Sequence, residues 1–380
     1  MKIVYSTNWF LDYRIPVLKH LKVLTNNNFY VCYNKDILPD RIHLKMTEAL
    51  GDRAIPFSNE KVIRIGSKRK SGDFANKYFE IKYMPGLYSK IKELEPDVLI
   101  GDGFFRWGLT NLIYRLLNKT KYIMLYERTN HTERNLPKIV KLLRKLTFPL
   151  IDGINCNGQL CKDYIMSLNY DETKITSNHM VADIDSIQHK CNLFTHKQRE
   201  ELKLKLGLQG KVFLYCGQMV ERKGIMELLD AWTQLNCNET LILIGNGDKE
   251  NFAEEIANKT NNVKYIGKVD FDSIHKYYSI SDIFVILTLE DNGSIVVPEA
   301  MAAGLPVLTS KYNGNYPEYI TPKNGWVVDP KNINEVIEVF KLAIKSDNLD
   351  QMGKESLRIV KNHTPEIAAL NIFNAAKYVS

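Results

Sequence analysis

The chain has 380 residues, of which 44% are hydrophobic and 25% are charged, values typical of a globular protein large enough for two domains. It has no apolar run of 18 residues, no signal-peptide pattern at its start and no C-x-x-C pair among its six cysteines, so we expect no membrane-spanning helix, no leader and no zinc site. Residues 1–190 carry 30 Lys and Arg against 20 Asp and Glu, and residues 191–380 carry 21 against 24. The basic first half predicts an anionic partner (a membrane surface, a nucleic acid or an acidic glycan), with a solvated face as the alternative.

Short apolar runs alternate with helical patterns along the first half of the chain. Such alternation predicts a parallel sheet covered by helices on both faces. The predicted strands are 2–7, 29–34, 62–66, 97–102, 121–127 and 153–158, and the predicted helices include 13–24, 83–94 and 109–118.

The same alternation restarts after a polar segment at 186–208, which we interpret as a linker and a leading helix. We therefore predict an α/β protein with two doubly wound, Rossmann-like parallel-sheet domains facing an interdomain cleft: residues 1–190 and 191–363. The predicted strands of the second half are 212–217, 240–247, 263–267, 283–289, 306–310 and 325–330, and the predicted helices are 224–235, 248–259, 271–279, 295–303 and 332–346.

Ligands of doubly wound sheets bind beyond the carboxyl ends of the strands, so the residues there are the candidates. Gly217 ends one strand and is followed by Arg222 and Lys223, two cations suited to a diphosphate; a charged loop at a helix entry is the alternative. Gly245 and Gly247 follow the next strand and resemble half of a dinucleotide fingerprint, with a tight turn as the alternative.

The stretch "LTLEDNGSIVVPEAMAAGLPVLTS" (287–310) places two acids, Glu290 and Asp291, between a buried strand and a helix. We expect Ser294 to cap that helix, which would begin near Ile295. The free N–H groups at 294–297 would suit a phosphate. Glu299 lies one turn into the helix, where a carboxylate suits the hydroxyls of a ribose.

The region 211–345 resembles the donor-binding domain of glycosyltransferase family 4, whose members are retaining enzymes of the GT-B fold. The resemblance is carried by "YCGQMVERKGIMELLDAW", "LILIGNGDKENF", "YIGKVDFDSIHKYYSISDIFVILTLEDNGSIVVPEAMAAGLPVLTS" and "NGNYPEYITPKNGWVVDP". The first half is similar to the same family in "STNWFLDYRIPVLKHL", "PDVLIGDGFFRWGL" and "YERTNHTER".

The resemblance implies roles for the second-half residues. The second Glu of the family's Glu-x7-Glu motif falls on Glu299 and implies a ribose contact. Seven intervening residues lead back to Asp291, which implies a contact to the transferred sugar, with Glu290 as the rival. The N–H groups of Ser294, Ile295 and Val296 would meet the sugar and the diphosphate. Lys223 matches the family's diphosphate cation, and Arg222 replaces a second cation that Gln218 does not supply.

In the first half, the resemblance and the strand ends point to four residues. His131 and Glu127 lie beyond a strand in "KYIMLYERTNHTER" and are the catalytic candidates, and a surface or satisfied histidine is the alternative for His131. Asp102 and Arg14 are the acceptor-side candidates. The family also implies that a last helix, 364–380, packs back on the first domain.

Residues 134–150 form a basic amphipathic pattern, which favours peripheral contact with a membrane; an ordinary helix that packs its apolar face on the core is the alternative. The loop 66–74 adds further basic residues.

We therefore predict a retaining glycosyltransferase that moves a hexose-type sugar from a nucleotide-diphosphate sugar to a glycan or lipid-linked acceptor. We expect no metal, no cofactor and no nucleic-acid partner, and a cytoplasmic location that can include the inner face of a membrane. The alternatives are a GT-B epimerase or phosphorylase, a catalytically silent binding subunit, and a nucleic-acid binder for which no recognition motif is visible.

Overall fold

Two compact units make up the chain in a computed structural model, which describes residues 1–65, 74–75, 79–103 and 106–380. Within these, the first unit contains residues 1–65, 79–181 and 365–380, and the second contains residues 182–364. The basic loop predicted at 66–74 lies outside the described residues apart from Phe74.

The first unit is built on a parallel sheet whose two strands Ile3–Thr7 and Val98–Asp102 are buried along their whole length, as expected for strands that helices cover from two sides. Its strands are β1 (Ile3–Thr7), β2 (Phe29–Asn34), β3 (Ala54–Phe57), β4 (Lys61–Ile65), β5 (Phe79–Tyr83), β6 (Val98–Asp102), β7 (Lys121–Tyr126), β8 (Gly153–Cys156) and β9 (Ile175–Ser177). Seven of them form the sheet in the order β3-β2-β1-β6-β7-β8-β9. Its helices are α1 (Arg14–Leu24), α2 (Asp40–Leu50), α3 (Leu87–Leu94), α4 (Gly108–Asn118), α5 (Lys138–Thr147) and α6 (Gln159–Ser167).

The strand predicted at 62–66 lies outside this sheet. It is β4, which pairs antiparallel with β5 so that Lys61 lies opposite Tyr83. The prediction of a parallel strand was wrong here, because an exposed hairpin and a sheet strand share the same β-branched composition. Strand β3, which contains Pro56, takes the sheet edge, where a missing N–H is tolerated.

The second unit repeats the architecture with six parallel strands. They are β10 (Val212–Cys216), β11 (Thr240–Ile244), β12 (Val263–Gly267), β13 (Ile283–Ile286), β14 (Val307–Ser310) and β15 (Gly325–Val328), in the order β12-β11-β10-β13-β14-β15. Its helices are α7 (Ile184–Leu193), α8 (His196–Leu206), α9 (Ile225–Leu235), α10 (Glu250–Lys259), α11 (Ile274–Tyr278), α12 (Val296–Ala302), α13 (Tyr316–Tyr319), α14 (Ile333–Lys345) and α15 (Leu349–Val360). The boundary predicted at residue 190 lies inside α7, which belongs to this unit.

The last helix, α16 (Pro365–Val379), belongs to the first unit although it follows the second in sequence. It packs mainly on α1 and also contacts β8 and β9. Its buried face contains four alanines and one isoleucine, and small side chains let two helices approach closely.

Most apolar side chains of helix α5 face solvent. Ile139, Leu142, Leu143 and Leu146 are each at least half exposed, whereas Arg144 is the buried residue of the helix. The interpretation of α5 as a helix that packs its apolar face on the core is therefore wrong. Among the described residues, no helix combines the length and the apolar composition needed to cross a membrane.

Candidate active site

The strand order of the second unit reverses between β10 and β13, which lie side by side. Loops that leave neighbouring strands at such a reversal diverge and leave a crevice in which doubly wound sheets bind their ligands. The loop after β10 carries Arg222 and Lys223, and the loop after β13 carries Glu290 and Asp291. The sheet topology therefore brings these four predicted site residues to one edge.

The two loops are tied together by the main chain of Arg222. Its carbonyl oxygen accepts hydrogen bonds from the backbone N–H groups of Leu289 (2.9 Å) and Glu290 (3.1 Å) and from the hydroxyl of Thr288 (2.8 Å). Gly224 follows at φ +67°, and a Cβ there would lie 1.7 Å from the carbonyl oxygen of Leu287. Only glycine allows the two backbones to come this close, because any side chain would clash with the carbonyl oxygen. The relative position of the two loops therefore depends on Gly224 as well as on the hydrogen bonds.

Lys223 and Asp291 form an ion pair across the two loops. The Asp291 carboxylate also accepts a hydrogen bond from the hydroxyl of Ser294 (2.7 Å) and one from the N–H of Gly293 (3.2 Å). Burial raises the pKa of Asp291, but the charges of Lys223 and Arg222 outweigh it and bring that pKa down to about 2. Asp291 is therefore an ionised, oriented carboxylate beside a lysine.

Glu290 is held differently from its neighbour. Its backbone N–H donates to Arg222, and the residue is 4% exposed. The two adjacent acids thus lie in different surroundings, and it is Asp291 whose carboxylate is paired with the lysine.

Ser294 does not cap helix α12, contrary to our expectation. Its hydroxyl donates to Asp291, and its backbone N–H donates to the side-chain oxygen of Asn313 (3.0 Å). The Ser294 N–H is therefore bound by Asn313 in the unliganded protein, and its contact with the sugar and the diphosphate stays a prediction. The N–H groups of Ile295 and Val296 lie at the start of the helix, where no earlier helical carbonyl can accept from them.

Glu299 lies on α12 and is 6% exposed. Its carboxylate accepts one hydrogen bond from the hydroxyl of Tyr278 on α11, at 3.0 Å. Burial raises the pKa of Glu299 to about 7, although the bond from Tyr278 acts in the opposite direction. A carboxylate that is this buried and so sparsely hydrogen-bonded is suited to accept further donors, such as hydroxyl groups.

Two of the three glycines predicted to face a ligand, Gly245 and Gly247, have structural reasons of their own. A Cβ on Gly245 would lie 1.8 Å from the carbonyl oxygen of Gly217, and one on Gly247 would lie 2.6 Å from that of Met219. The loops after β10 and β11 are therefore in direct backbone contact.

The side chain of Arg222 donates a hydrogen bond to the side-chain oxygen of Gln218 at 2.9 Å, so these two residues are directly linked.

In the first unit, polar side chains gather where the strand order reverses between β1 and β6. Asp102, the last residue of β6, accepts hydrogen bonds from the hydroxyls of Tyr5 and Thr7 and from the guanidinium of Arg106. Arg14, at the start of α1, lies 3.5 Å from Asp102 and 3.3 Å from Glu127. Asp102 and Arg14 are both buried and link the members of this cluster, and their contact with an acceptor stays a prediction.

Glu127 and Arg106 are the charged groups of the cluster that reach solvent, with their side chains 22% and 20% exposed. Burial raises the pKa of Glu127, but neighbouring His179 and the charges of Arg106 and Arg14 outweigh burial and hold the pKa well below its ordinary range. Arg106 also lies over the ring of Trp9, with 5.8 Å between the guanidinium carbon and the ring centroid. Trp9 is partly exposed, so an aromatic face, a guanidinium and a carboxylate occur at one sheet edge.

The histidine beside Glu127 is His179, which sequence reasoning missed. Its Nε2 lies 3.9 Å from the Glu127 carboxylate, and its Nδ1 is 2.9 Å from the side-chain oxygen of Asn155. Burial lowers the pKa of His179. His131 lies in the turn before α5 and is partly exposed, and its carbonyl oxygen accepts from Arg134. His179 follows β9 closely, so the strand-end criterion would have found it had that short strand been predicted.

The fold of the whole chain is that of GT-B glycosyltransferases, which consist of two α/β domains. Anabaena HepE in complex with UDP superposes with a TM-score of 0.76 at 14% identity, and the match covers 100% of each chain. At that identity the likeness establishes the fold alone.

Sequence comparison gives a more specific match in the second unit. Residues 196–360 match the family model described as Glycosyl transferases group 1. Spore coat protein SA of Bacillus subtilis (strain 168) is 33% identical over 181 residues, which are 43% of this chain and 47% of that protein. The GDP-mannose-dependent monoacylated alpha-(1-6)-phosphatidylinositol monomannoside mannosyltransferase of Corynebacterium glutamicum is 28% identical over 179 residues, 43% of this chain and 46% of that protein. The chain spans about half the length of the curated relatives it matches.

Proposed function

We propose that the protein is a retaining glycosyltransferase of family 4 that transfers a hexose-type sugar from a nucleotide-diphosphate sugar to a glycan or lipid-linked acceptor. The observation that carries the proposal is the set of charged groups at the β10–β13 edge. A lysine, an ionised aspartate and a buried, under-bonded glutamate occur there together. The UDP bound by HepE and the GDP-mannose named for the Corynebacterium relative are donors or donor products of this chemistry.

The donor's nucleotide would be bound by Glu299 and the two cations. The Glu299 carboxylate accepts hydrogen bonds from the ribose hydroxyls, which satisfies a group that burial leaves costly to ionise. Lys223 and Arg222 balance the diphosphate charge, with the N–H groups of Ile295 and Val296 as additional donors. This arrangement uses no metal ion or other cofactor.

Asp291 would face the transferred sugar. In the unliganded protein it is paired with Lys223. When the diphosphate arrives, the lysine gains a second anionic partner, and the Asp291 carboxylate can accept hydrogen bonds from sugar hydroxyls. The ring carbon becomes positively charged in the transition state, so a fixed carboxylate nearby also stabilises it by charge.

The chemical step that we propose is the front-face transfer that the family resemblance implies, which retains the configuration of the sugar. The bond between the anomeric carbon and the diphosphate oxygen breaks, and the acceptor oxygen attacks from the same face of the ring. The acceptor's proton passes to the departing diphosphate, and Lys223 and Arg222 offset the charge that develops on it.

The first unit would bind the acceptor at its own strand-end cluster. Glu127 and Arg106 are the partly exposed charged groups of that cluster, and Asp102 and Arg14 hold them in place. His131, in the following turn, remains a candidate for contact with the transferred sugar.

Helix α5 would bring the protein to an anionic membrane surface, and its location would then be the cytoplasm and the inner face of the membrane. Its four exposed apolar side chains alternate with the exposed cations Lys138, Lys141 and Lys145. An amphipathic helix of this composition binds the interface between headgroups and acyl chains. The exposed apolar face favours this role over the alternative of core packing.

The test is a thermal-shift screen against UDP-, GDP-, ADP- and TDP-sugars, followed by a transfer assay with the donor that binds. A ligand present at 100 times its Kd stabilises the folded state by about 2.7 kcal/mol, so a true donor gives a clear shift. Lys223→Gln should remove most of the shift, whereas Lys259→Gln, an exposed lysine on α10, should not.

Two outcomes would contradict the proposal. If no nucleotide sugar shifts the wild type, the donor site is wrong. If a donor binds and turns over without any acceptor to a new sugar nucleotide, the protein is an epimerase.

A further inference from the structure

A cavity of about 550 Å³ opens among helices α7, α8 and α11 of the second unit, and no step of the proposed reaction uses it. Its walls include Lys190 and Leu193 from α7, Leu202 and Lys205 from α8, and His275 and Lys276 from α11. The volume lies in the range of pockets that take small organic ligands.

The cavity has an apolar lining that is open to water. Leu193 is 65% exposed, and Leu202 and Phe194 are half-buried beside it. The ring of Phe194 meets that of His275 edge to face, with centroids 6.1 Å apart. Apolar side chains that line a concavity and remain wet gain free energy when a ligand covers them.

The charged residues around this lining leave a positive excess. Asp272 is paired with Lys190 at 2.7 Å, and Glu201 lies 3.9 Å from Lys197. The lysines Lys205 and Lys276 then remain without an acidic partner among the described residues. The cavity therefore combines an apolar lining with a net charge of +1, from Lys190, Lys205 and Lys276 against Glu201 and Asp272.

We infer that this cavity binds a soluble, single-chain anionic amphiphile, such as a long-chain alkyl phosphate or acyl carboxylate. The chain of the ligand covers Leu193, Phe194 and Leu202, and its anionic group lies between Lys205 and Lys276. A free phosphate lacks the apolar part, and a neutral or cationic amphiphile lacks the charge, so each satisfies only half of the site.

Binding of a ligand in the cavity would affect the position of the Glu299 carboxylate. Helix α7 packs on both α11 and α12, and α11 carries Tyr278, the hydrogen-bond partner of Glu299. A ligand that bridges α7, α8 and α11 therefore touches two of the helices that position this carboxylate. The binding inference itself does not depend on the proposed transfer activity.

The test is isothermal titration calorimetry of the full chain with dodecyl phosphate below its micelle-forming concentration. We expect binding of one molecule per chain, and at least tenfold weaker binding of inorganic phosphate and of dodecyltrimethylammonium. Equal binding of inorganic phosphate, or binding of many detergent molecules per chain, would overturn the inference.

Matched variants locate the ligand. The pair Lys205→Gln and Lys276→Gln should weaken the binding of dodecyl phosphate at least tenfold, whereas the pair Lys259→Gln and Lys341→Gln, two exposed lysines outside the cavity, should change it less than twofold. Leu193→Ser should weaken it, and Leu204→Ser, on the exposed surface of α8 outside the cavity, should not. Equal affinities of all variants for dodecyl phosphate, or its full displacement by a nucleoside diphosphate, would show that it binds elsewhere and would contradict the proposed binding in the cavity.

Discussion

The hydroxyl of Tyr278 donates to the carboxylate of Glu299 across 3.0 Å and links helix α11 to helix α12. One neutral hydrogen bond does not replace the hydration that burial removes from a carboxylate, and the pKa of Glu299 therefore stays raised, at about 7. In the free protein Glu299 is a cost to stability whenever it is ionised. A ligand that brings hydroxyl donors removes that cost, which is the behaviour of a binding residue rather than of a structural one.

Glu299→Gln should make the unliganded protein more stable at pH 8 while weakening its affinity for nucleotides. The pKa in the folded state, about 7, lies above the ordinary value of 4.5, so Glu299 does not destabilise the fold below pH 4.5. Its unfavourable contribution grows as the pH rises from 4.5 to about 7, and the full difference corresponds to roughly 3 kcal/mol. Urea unfolding at pH 4.5 and pH 8 measures it. The exposed Glu338→Gln serves as control, and equal pH dependence of the Glu299 variant and the wild type would contradict the prediction.

Asp291→Asn should reduce kcat about 100-fold, because it removes a fixed negative charge from beside the reacting ring. Glu290→Gln should change kcat less than about threefold, since the Lys223 ion pair is made by Asp291. Steady-state kinetics with a saturating donor measures both. The reverse ranking would show that the loop is displaced by one residue relative to the family's motif.

Arg14→Met should destabilise the first unit strongly at neutral pH. It removes one of the two cations beside Asp102 and Glu127. Breaking a buried pair costs up to about 3–5 kcal/mol, and Arg106 offsets part of this loss because it stays beside both acids. The pKa of Glu127 is depressed in the folded protein, so its stabilising contribution exists above its ordinary pKa of 4.5 and is lost as the pH falls. The loss caused by the variant should therefore be smaller at pH 4 than at pH 7.

The control for Arg14 is Arg41→Met, which breaks a pair between an exposed arginine and Asp12, whose carboxylate keeps Lys45 as a partner. Surface pairs contribute about 0–1 kcal/mol, so this variant should unfold at nearly the wild-type urea concentration. If Arg14→Met unfolds no more easily than Arg41→Met, the buried cluster does not organise the first unit.

Leu142→Asn combined with Leu146→Asn should abolish most binding to anionic vesicles without lowering the melting temperature, because both side chains are exposed on α5. Co-sedimentation with phosphatidylglycerol vesicles measures it, and phosphatidylcholine vesicles should retain much less of the wild type. The control pair is Leu204→Asn with Leu342→Asn, two exposed leucines of the second unit. If the wild-type protein stays in the supernatant with phosphatidylglycerol vesicles, the proposal that α5 contacts a membrane is wrong.

The parallel sheets were predictable because their strands are short, apolar and buried on both faces. β1, β6, β11 and β13 each match a predicted run. Strands β3 and β5 were not predicted, since one contains a proline at a sheet edge and the other belongs to an exposed hairpin. A periodic pattern of apolar residues indicates a strand only where the strand is buried, and neither β3 nor β5 is fully buried.

From the sequence, we could predict only those residues of the candidate site that lie in the loops after strands. Arg222, Lys223 and Asp291 follow strands directly, and the topology brings them together. Tyr278 lies 21 residues before Glu299, and Asn313 lies 19 residues after Ser294. Nothing in local spacing reports such contacts. The predicted cap at Ser294 was wrong for a different, local reason, because the carboxylate of Asp291, three residues earlier, accepts the hydrogen bond of its hydroxyl.

The carbonyl oxygen of Arg222 accepts hydrogen bonds from three groups of the loop after β13. The backbone of Arg222 therefore fixes the shape of this sheet edge, and its side chain sets the charge there. Position 222 can therefore accept different side chains over evolution, or in a directed library, without moving Glu290 or Asp291. It is the place to look when the donor preference of such an enzyme is to be altered while its scaffold is kept.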